Sequence, residues 1–436
     1  MADKRAGEAA GLKARRLALD LLQQVVDRHR PLDEALASES RLDGLSGRDR
    51  GFVRLLVSTT LRRLPEVDQL LAGLMARPLP RKAAEVRWIL RLGAVQILFM
   101  ETPPHAAVAT SVDLLRGPTS GFKGLVNAVL RRLSRECQAL SEAEAARANT
   151  PGWLWQSWVQ AYGEAEALAI AAAHLCEPPL DLMAPSDPAL WAERLGAEQL
   201  RLGGLRLASG AGDPQALPGY AEGAWWVQDL AASLPVTLFG PLDGRLALDL
   251  CAAPGGKSLQ LAAGGARVTA IDRSGQRLDR VKANLARTGL SADLVEADAA
   301  LWRAGTAVDL VLLDAPCSAT GTIRRHPDIL RNRRPSDVAA LLPLQARLLR
   351  TAWQHLRPGG TLVYAVCSLQ PEEGPEQVAA LLAGEPALRR RKIAPEELAG
   401  LEQLIDAEGD LRCLPSHLGD QGGMDGFYAA RLERLA

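Results

Sequence analysis

Two cysteines stand in short polar motifs, Asp314-Ala315-Pro316-Cys317-Ser318 and Val366-Cys367-Ser368. Each follows an apolar run that predicts a β-strand, at 308–313 and 361–366. A glycine-rich turn, Cys251-Ala252-Ala253-Pro254-Gly255-Gly256-Lys257, follows a third such run at 246–250. A thiolate can act as a covalent nucleophile if it is exposed and partly ionised, against an unperturbed pKa of about 8.5. Its addition to carbon 6 of a pyrimidine makes carbon 5 enamine-like, able to accept a methyl group that the free ring cannot take. These residues could therefore attack a pyrimidine, provided thiol, methyl donor and base share one pocket. The competing reading is burial, common for free cysteine, but two motifs in the same relation to a sheet weigh against it. Cys137, Cys176, Cys251 and Cys413 lack that setting and are expected to be buried as small apolar residues. With no C-x-x-C pair and no histidine at zinc-ligand spacing, reduced thiols and no metal are expected.

The Pro254-Gly255-Gly256 turn lets backbone amides approach a ligand at the amino end of the next helix. Gly256-Lys257-Ser258 fits the end of a P-loop, but cysteine holds position 251 where the first glycine belongs. Acidic residues close the next strands: Asp272, then Asp298 in Glu296-Ala297-Asp298, then Asp314. Asp272 falls about 20 residues past the turn, where a doubly wound fold sets a carboxylate against ribose hydroxyls. NAD and S-adenosylmethionine both satisfy that acid. The G-x-G-x-x-G fingerprint is missing, and S-adenosylmethionine needs no pyrophosphate cradle, so the loop favours it. The candidate cofactor set is Cys251, Ala252, Ala253, Pro254, Gly255, Gly256, Lys257, Asp272, Asp298 and Asp314. For any one aspartate alone, capping a turn is the competing role.

Only a parallel sheet with crossover helices brings these residues to one edge. Strands are predicted at 246–250, 267–271, 293–296, 308–313 and 361–366, and helices at about 257–263, 276–288 and 336–355. With 436 residues, 47% of them hydrophobic, the chain can form two or three domains. Residues 1–140 carry apolar positions at helical spacing, as in Ala18, Leu21, Leu22 and Val25, and predict an all-α bundle. Its Pro/Gly breaks suggest several short helices. Residues 141–222 predict a helical linker and a small α/β module with a strand at 180–183, and residues 223–436 the catalytic α/β domain.

The 51 basic residues balance 51 acidic ones, so any nucleic-acid contact must come from local patches. The clearest is the arginine-dense segment 322–334, with Arg324, Arg325, His326, Arg331, Arg333 and Arg334 as candidate phosphate contacts. Arg131, Arg132 and Arg135 are weaker candidates on one predicted helix. The amino terminus has no apolar signal core, and Arg91 interrupts the apolar stretch 88–100. A soluble, cytosolic protein is expected.

The carboxy-terminal half resembles the RNA cytosine-5 methyltransferases, and within them the bacterial small-subunit ribosomal RNA enzymes of the RsmB (Sun/Fmu) type. The resemblance rests on Val227-Gln228-Asp229, on Leu248 through Lys257, on Asp314 through Gly321, on Arg324-Arg325-His326-Pro327-Asp328, on Cys367-Ser368 with Pro371-Glu372-Glu373, and on Asp425-Gly426-Phe427-Tyr428. The helical first part resembles a NusB-type RNA-binding domain. The departures are Val366 where threonine is usual, Gly374 where asparagine is usual, and no arginine in the Leu182-Met183-Ala184 strand.

The resemblance implies a Rossmann-like methyltransferase domain with a mostly parallel sheet, and S-adenosylmethionine as cofactor. It implies Cys367 as nucleophile, Cys317 as the residue that assists release of the adduct, and Asp314 as a cytosine contact. The partner it implies is 16S ribosomal RNA, methylated at carbon 5 of a cytidine by a monomer without metal. The competing functions are transfer RNA methylation by the same chemistry, or a non-catalytic NusB-like RNA-binding factor.

Overall fold

In the computed structural model the described residues are 2–398 and 400–436. They form two compact units: Met1–Glu177 with Ile323–Arg333, and Pro178–Thr322 with Arg334–Ala436.

The first unit is helical. Its main helices are Ala2–Leu22, Gly47–Leu74, Ala84–Leu98, Pro104–Leu114 and Lys123–Glu136, followed by Glu142–Asn149, Gly152–Tyr162 and Glu164–Ala173. The predicted stripes face one core in which Leu21, Leu22, Val25, Leu56, Leu61, Ile89, Val126 and Leu133 are fully buried. Each such leucine contributes about 1.5–3 kcal/mol by leaving water. Pro31 and Pro103 stand just before helices, as breakers should. Pro65 does not break one. Gly47–Leu74 runs through it for 28 residues, so the bundle is not built only of short helices. The helices from Glu142 to Ala173 belong to this same unit, on the other side of the division from the small module with which the sequence grouped them.

The second unit opens with a small antiparallel sheet of β1 (Leu180–Met183), β2 (Glu198–Gln199), β3 (Gly204–Leu207) and β4 (Trp226–Val227), in the order β2-β3-β1-β4. Asp181 and Arg206 face each other in the β1/β3 register and form a buried two-pronged ion pair, both contacts 2.7 Å.

The large sheet holds β5 (Leu246–Leu250), β6 (Arg267–Asp272), β7 (Asp293–Glu296), β8 (Val308–Asp314), β9 (Leu356–Val366), β10 (Leu388–Arg390), β11 (Leu411–Cys413) and β12 (Phe427–Arg434). Its order is β10-β12-β9-β8-β5-β6-β7, with β11 also on β12. The five predicted strands pair in parallel, while β12 pairs antiparallel with β9, β10 and β11. Alternate residues enter two cores. Ala247, Leu310, Leu312 and Val363 pack on one face, and Leu248, Val311, Leu313 and Leu362 on the other. Burial on both faces is why these strands read as near-continuous apolar runs. Crossover helices Gly256–Ala263, Gly275–Thr288 and Pro335–Gln354 complete a Rossmann-like fold. The chain turns one way from β5 to β6 and the other way to β8, so the strand order reverses between β5 and β8. Ligands of such sheets bind at that point, beyond the carboxyl ends of the strands. Among the described residues, no helix is long and apolar enough to cross a membrane.

Candidate active site

β8 delivers Asp314 and, three residues on, Cys317; β9 delivers Cys367 directly. Asp314 pairs in register with Ala365, so the two strands exit side by side. The thiols meet with their Sγ atoms 3.5 Å apart, both free and partly buried. Contact with Cys367, burial, and the charges of Cys367 and Glu373 push the Cys317 thiol well above its ordinary range. Of the other four cysteines only Cys413 is buried; Cys176 is exposed, and Cys137 and Cys251 are intermediate. Burial and the carboxylates of Asp272, Asp314 and Asp249 push the Cys251 thiol up to about 12, which keeps it protonated. Val366 lies fully buried in the sheet core, so its departure from threonine falls in apolar packing.

The turn after β5 is shaped by Gly255, whose φ of +104° suits glycine and leads into the helix Gly256–Ala263. From that helix Lys257 donates to Asp314 Oδ2 at 2.7 Å. Asp249, nearly fully buried on β5, accepts from Ser258 Oγ, while its Oδ1 has no partner. Burial first, then the charges of Asp314 and Asp272, raise its carboxyl to about 7 against the opposing pull of Ser258 and Lys257. Asp272 accepts from the backbone amides of Ala253 and Ser274 and lies 3.4 Å from the Arg277 guanidinium. The structure therefore gathers the 251–257 turn, Asp272 and Asp314 at the carboxyl ends of neighbouring strands. Asp298 is exposed beyond β7, and its Oδ1 accepts from the Ala300 amide as a turn cap.

Sequence reasoning gave Glu373 no role of its own. Its side chain is fully buried and lies between the two thiol motifs, accepting from the Ser318 amide and from the hydroxyls of both Ser318 and Ser368. The available signal was the serine that follows each cysteine: paired hydroxyls on adjacent strand exits need a common acceptor.

The arginine-dense segment does not form one exposed basic patch. Within the helical unit, Arg324 is 2% exposed and its carbonyl accepts from Arg62. Arg331 donates to the Asn149 carbonyl, and burial pushes its guanidinium down to about 10. His326 lies 3.4 Å from Asp33, and Arg325 is partly buried. Arg333, and Arg334 in the second unit, are exposed. A charge run read from sequence does not separate structural guanidinium groups from solvated ones.

The family of 16S rRNA methyltransferases RsmB/F matches residues 236–433, and the NusB family matches residues 12–135. A ribosomal RNA small subunit methyltransferase B of Pseudomonas putida is 40% identical over 420 residues, 91% of this chain and 93% of that one. Its namesake in Vibrio vulnificus is 37% identical over 453 residues, 98% of this chain and 100% of the relative. Among solved structures, PH0851 covers 98% of both chains with a TM-score of 0.75 at 21% identity, a likeness of fold. A methyltransferase homolog protein from Pyrococcus horikoshii covers 64% of this chain and 94% of its own, with a TM-score of 0.54 at 25% identity. With near full-length relatives at this identity, the chain belongs to the RsmB/F family of 16S ribosomal RNA methyltransferases and carries a NusB-family domain ahead of its catalytic part.

Proposed function

We propose that the protein transfers a methyl group from S-adenosylmethionine to carbon 5 of a cytidine in 16S ribosomal RNA, through a transient bond between Cys367 Sγ and carbon 6. The observation that carries this reading is the Cys317–Cys367 pair, 3.5 Å apart beside the Lys257–Asp314 contact. The site fits a cationic donor. Asp249, Asp272 and Asp314 cluster at the carboxyl ends of their strands, one Asp249 oxygen is buried without a partner, and the glycine pattern of a pyrophosphate cradle is missing. The 251–257 turn, Asp272 and Asp314 would hold the donor, with Asp298 at the rim. When bound, S-adenosylmethionine supplies an electrophilic methyl group.

Cys367 adds to carbon 6 and leaves carbon 5 electron-rich. Asp314, its carboxylate fixed by Lys257, accepts a hydrogen bond from the exocyclic amine of the cytosine and so orients the ring. After transfer the carbon 5 proton must leave and the carbon–sulfur bond must break. Cys317 serves here. While Cys367 is free, its contact and charge help keep Cys317 protonated; once Cys367 is bonded to carbon that part of the opposition is gone, and Cys317, having passed its own proton to solvent, takes the carbon 5 proton as a thiolate. The target base must leave its stack to present its face to sulfur. Arg325, His326, Arg333 and Arg334 remain the phosphate contacts of this reading, and the NusB-family match supports RNA binding by the helical unit.

Cys367→Ser should abolish both methyl transfer and covalent adduct, whereas Cys317→Ser should accumulate protein bound to RNA in a denaturing gel. The reverse pattern would exchange the two roles. Bisulfite sequencing of ribosomal RNA from cells with and without the gene locates the cytidine, and no lost methylation in 16S RNA would refute the substrate assignment.

A further inference from the structure

Glu373 touches neither sulfur, yet it grips the chain beside both. Its Oε1 accepts from the Ser318 amide at 2.8 Å and from Gln345 Nε2 at 3.0 Å. Its Oε2 accepts from Ser318 Oγ and Ser368 Oγ, each at 2.5 Å. Gln345 Nε2 also donates to the Pro316 carbonyl, so Cys317 is held on both sides. The far loop is pinned as well: Ser368 Oγ accepts from the Gln370 amide, Thr320 Oγ1 accepts from the Leu369 amide, and Arg412 donates to the Ser368 carbonyl. Tyr364 fixes the backbone of the clamp by donating its hydroxyl to the Glu373 carbonyl at 2.6 Å.

The four donors to this fully buried carboxylate are neutral, an expensive way to hold a charge. A carboxylate nevertheless suits the position, because its two oxygens offer about four lone-pair sites, whereas a glutamine oxygen offers two.

Resting on the thiol chemistry above, we propose that Glu373 is a positioning residue that locks the Cys317 and Cys367 loops together through Ser318 and Ser368, so that both thiols act on one base. Its charge has a second effect, since it is among the causes that hold Cys317 protonated.

The test uses Glu373→Gln and Ser368→Ala in the full chain, with melting curves to confirm folding. Each should lower kcat about 10- to 100-fold, the cost of slight misplacement of reacting groups, while KM for RNA and donor stays within about twofold. Combined, their effects should not multiply, because both remove one link. Adduct release followed across pH should begin at lower pH in Glu373→Gln, since a negative neighbour of Cys317 is gone. If Glu373→Gln does not fold, Ser368→Ala carries the kinetic test. Wild-type kcat in the folded variants, or effects that multiply independently, would overturn the clamp. An active Cys367→Ser would instead sink the thiol chemistry itself, so the two failures are told apart.

Discussion

Lys257 and Asp314 meet beyond the carboxyl ends of the neighbouring strands β5 and β8, with Nζ 2.7 Å from Oδ2. Burial is the largest single influence and works against the ammonium charge, but Asp314, Cys367 and Asp249 together outweigh it, and the net shift is upward. The same ammonium stands 4.8 Å over the Phe427 ring. A fixed cation is thus held where a thiol is proposed to react.

Lys257→Met removes that cation at nearly constant volume and leaves Asp314 unpaired. Loss of a hydrogen bond to a charged group costs about 1.5–3 kcal/mol, or about 10- to 150-fold in rate if it is felt mainly in the transition state. Initial rates of methyl transfer at saturating donor check this, and a change under threefold would show that the contact is idle in the reaction.

Asp249 links pH to stability. Its carboxyl titrates near 7 in the folded chain, against an ordinary value of 3.8. The folded state therefore binds the extra proton between those values, and the penalty of burying the charge grows as pH rises through this window. Below about pH 4 the penalty is absent; above about pH 7 it is complete. Asp249→Asn cannot ionise, so its melting temperature should gain on the wild type between pH 5 and pH 8. A constant difference across that range would contradict the shift.

Gly321 makes a close backbone approach to the carboxy-terminal strand. Its amide donates to the Cys367 carbonyl, its carbonyl accepts from the Gly426 amide, and a β-carbon would fall 2.0 Å from the Gly426 oxygen. Backbone cannot swing aside as a side chain can. Gly321→Ala should destabilise the chain by more than about 3 kcal/mol, in the tail of point-mutant effects, and lower methyl transfer in whatever folds. Chemical denaturation measures the first effect, and a near-normal midpoint would mean the loop relaxes cheaply.

Strands β5, β8 and β9 were legible because burial on both faces leaves continuous apolar runs, and the site residues because a motif closes each of them. The antiparallel strands were not. β10 and β11 are three residues each, and β12 contains Arg431, which reads as a surface residue. It is 3% exposed, and its guanidinium is satisfied by Glu397 and by the carbonyls of Leu238, Arg391 and Lys392. Arg324 and Glu373 were opaque for the same reason. A buried charge becomes visible only when its partners are known, and most of those partners are distant in sequence: Ser318 lies 55 residues and Gln345 28 residues from Glu373.

The chain leaves the catalytic unit after Thr322, spends Ile323–Arg333 in the helical one, and returns at Arg334. A gene divided at codon 177 would therefore not yield two self-sufficient products. The downstream fragment would carry Ile323, Ile329 and Leu330, each at most 6% exposed in the intact chain, stripped of the helices that shelter them. Such a fragment would be sticky, and the excursion binds the two halves to a common inheritance.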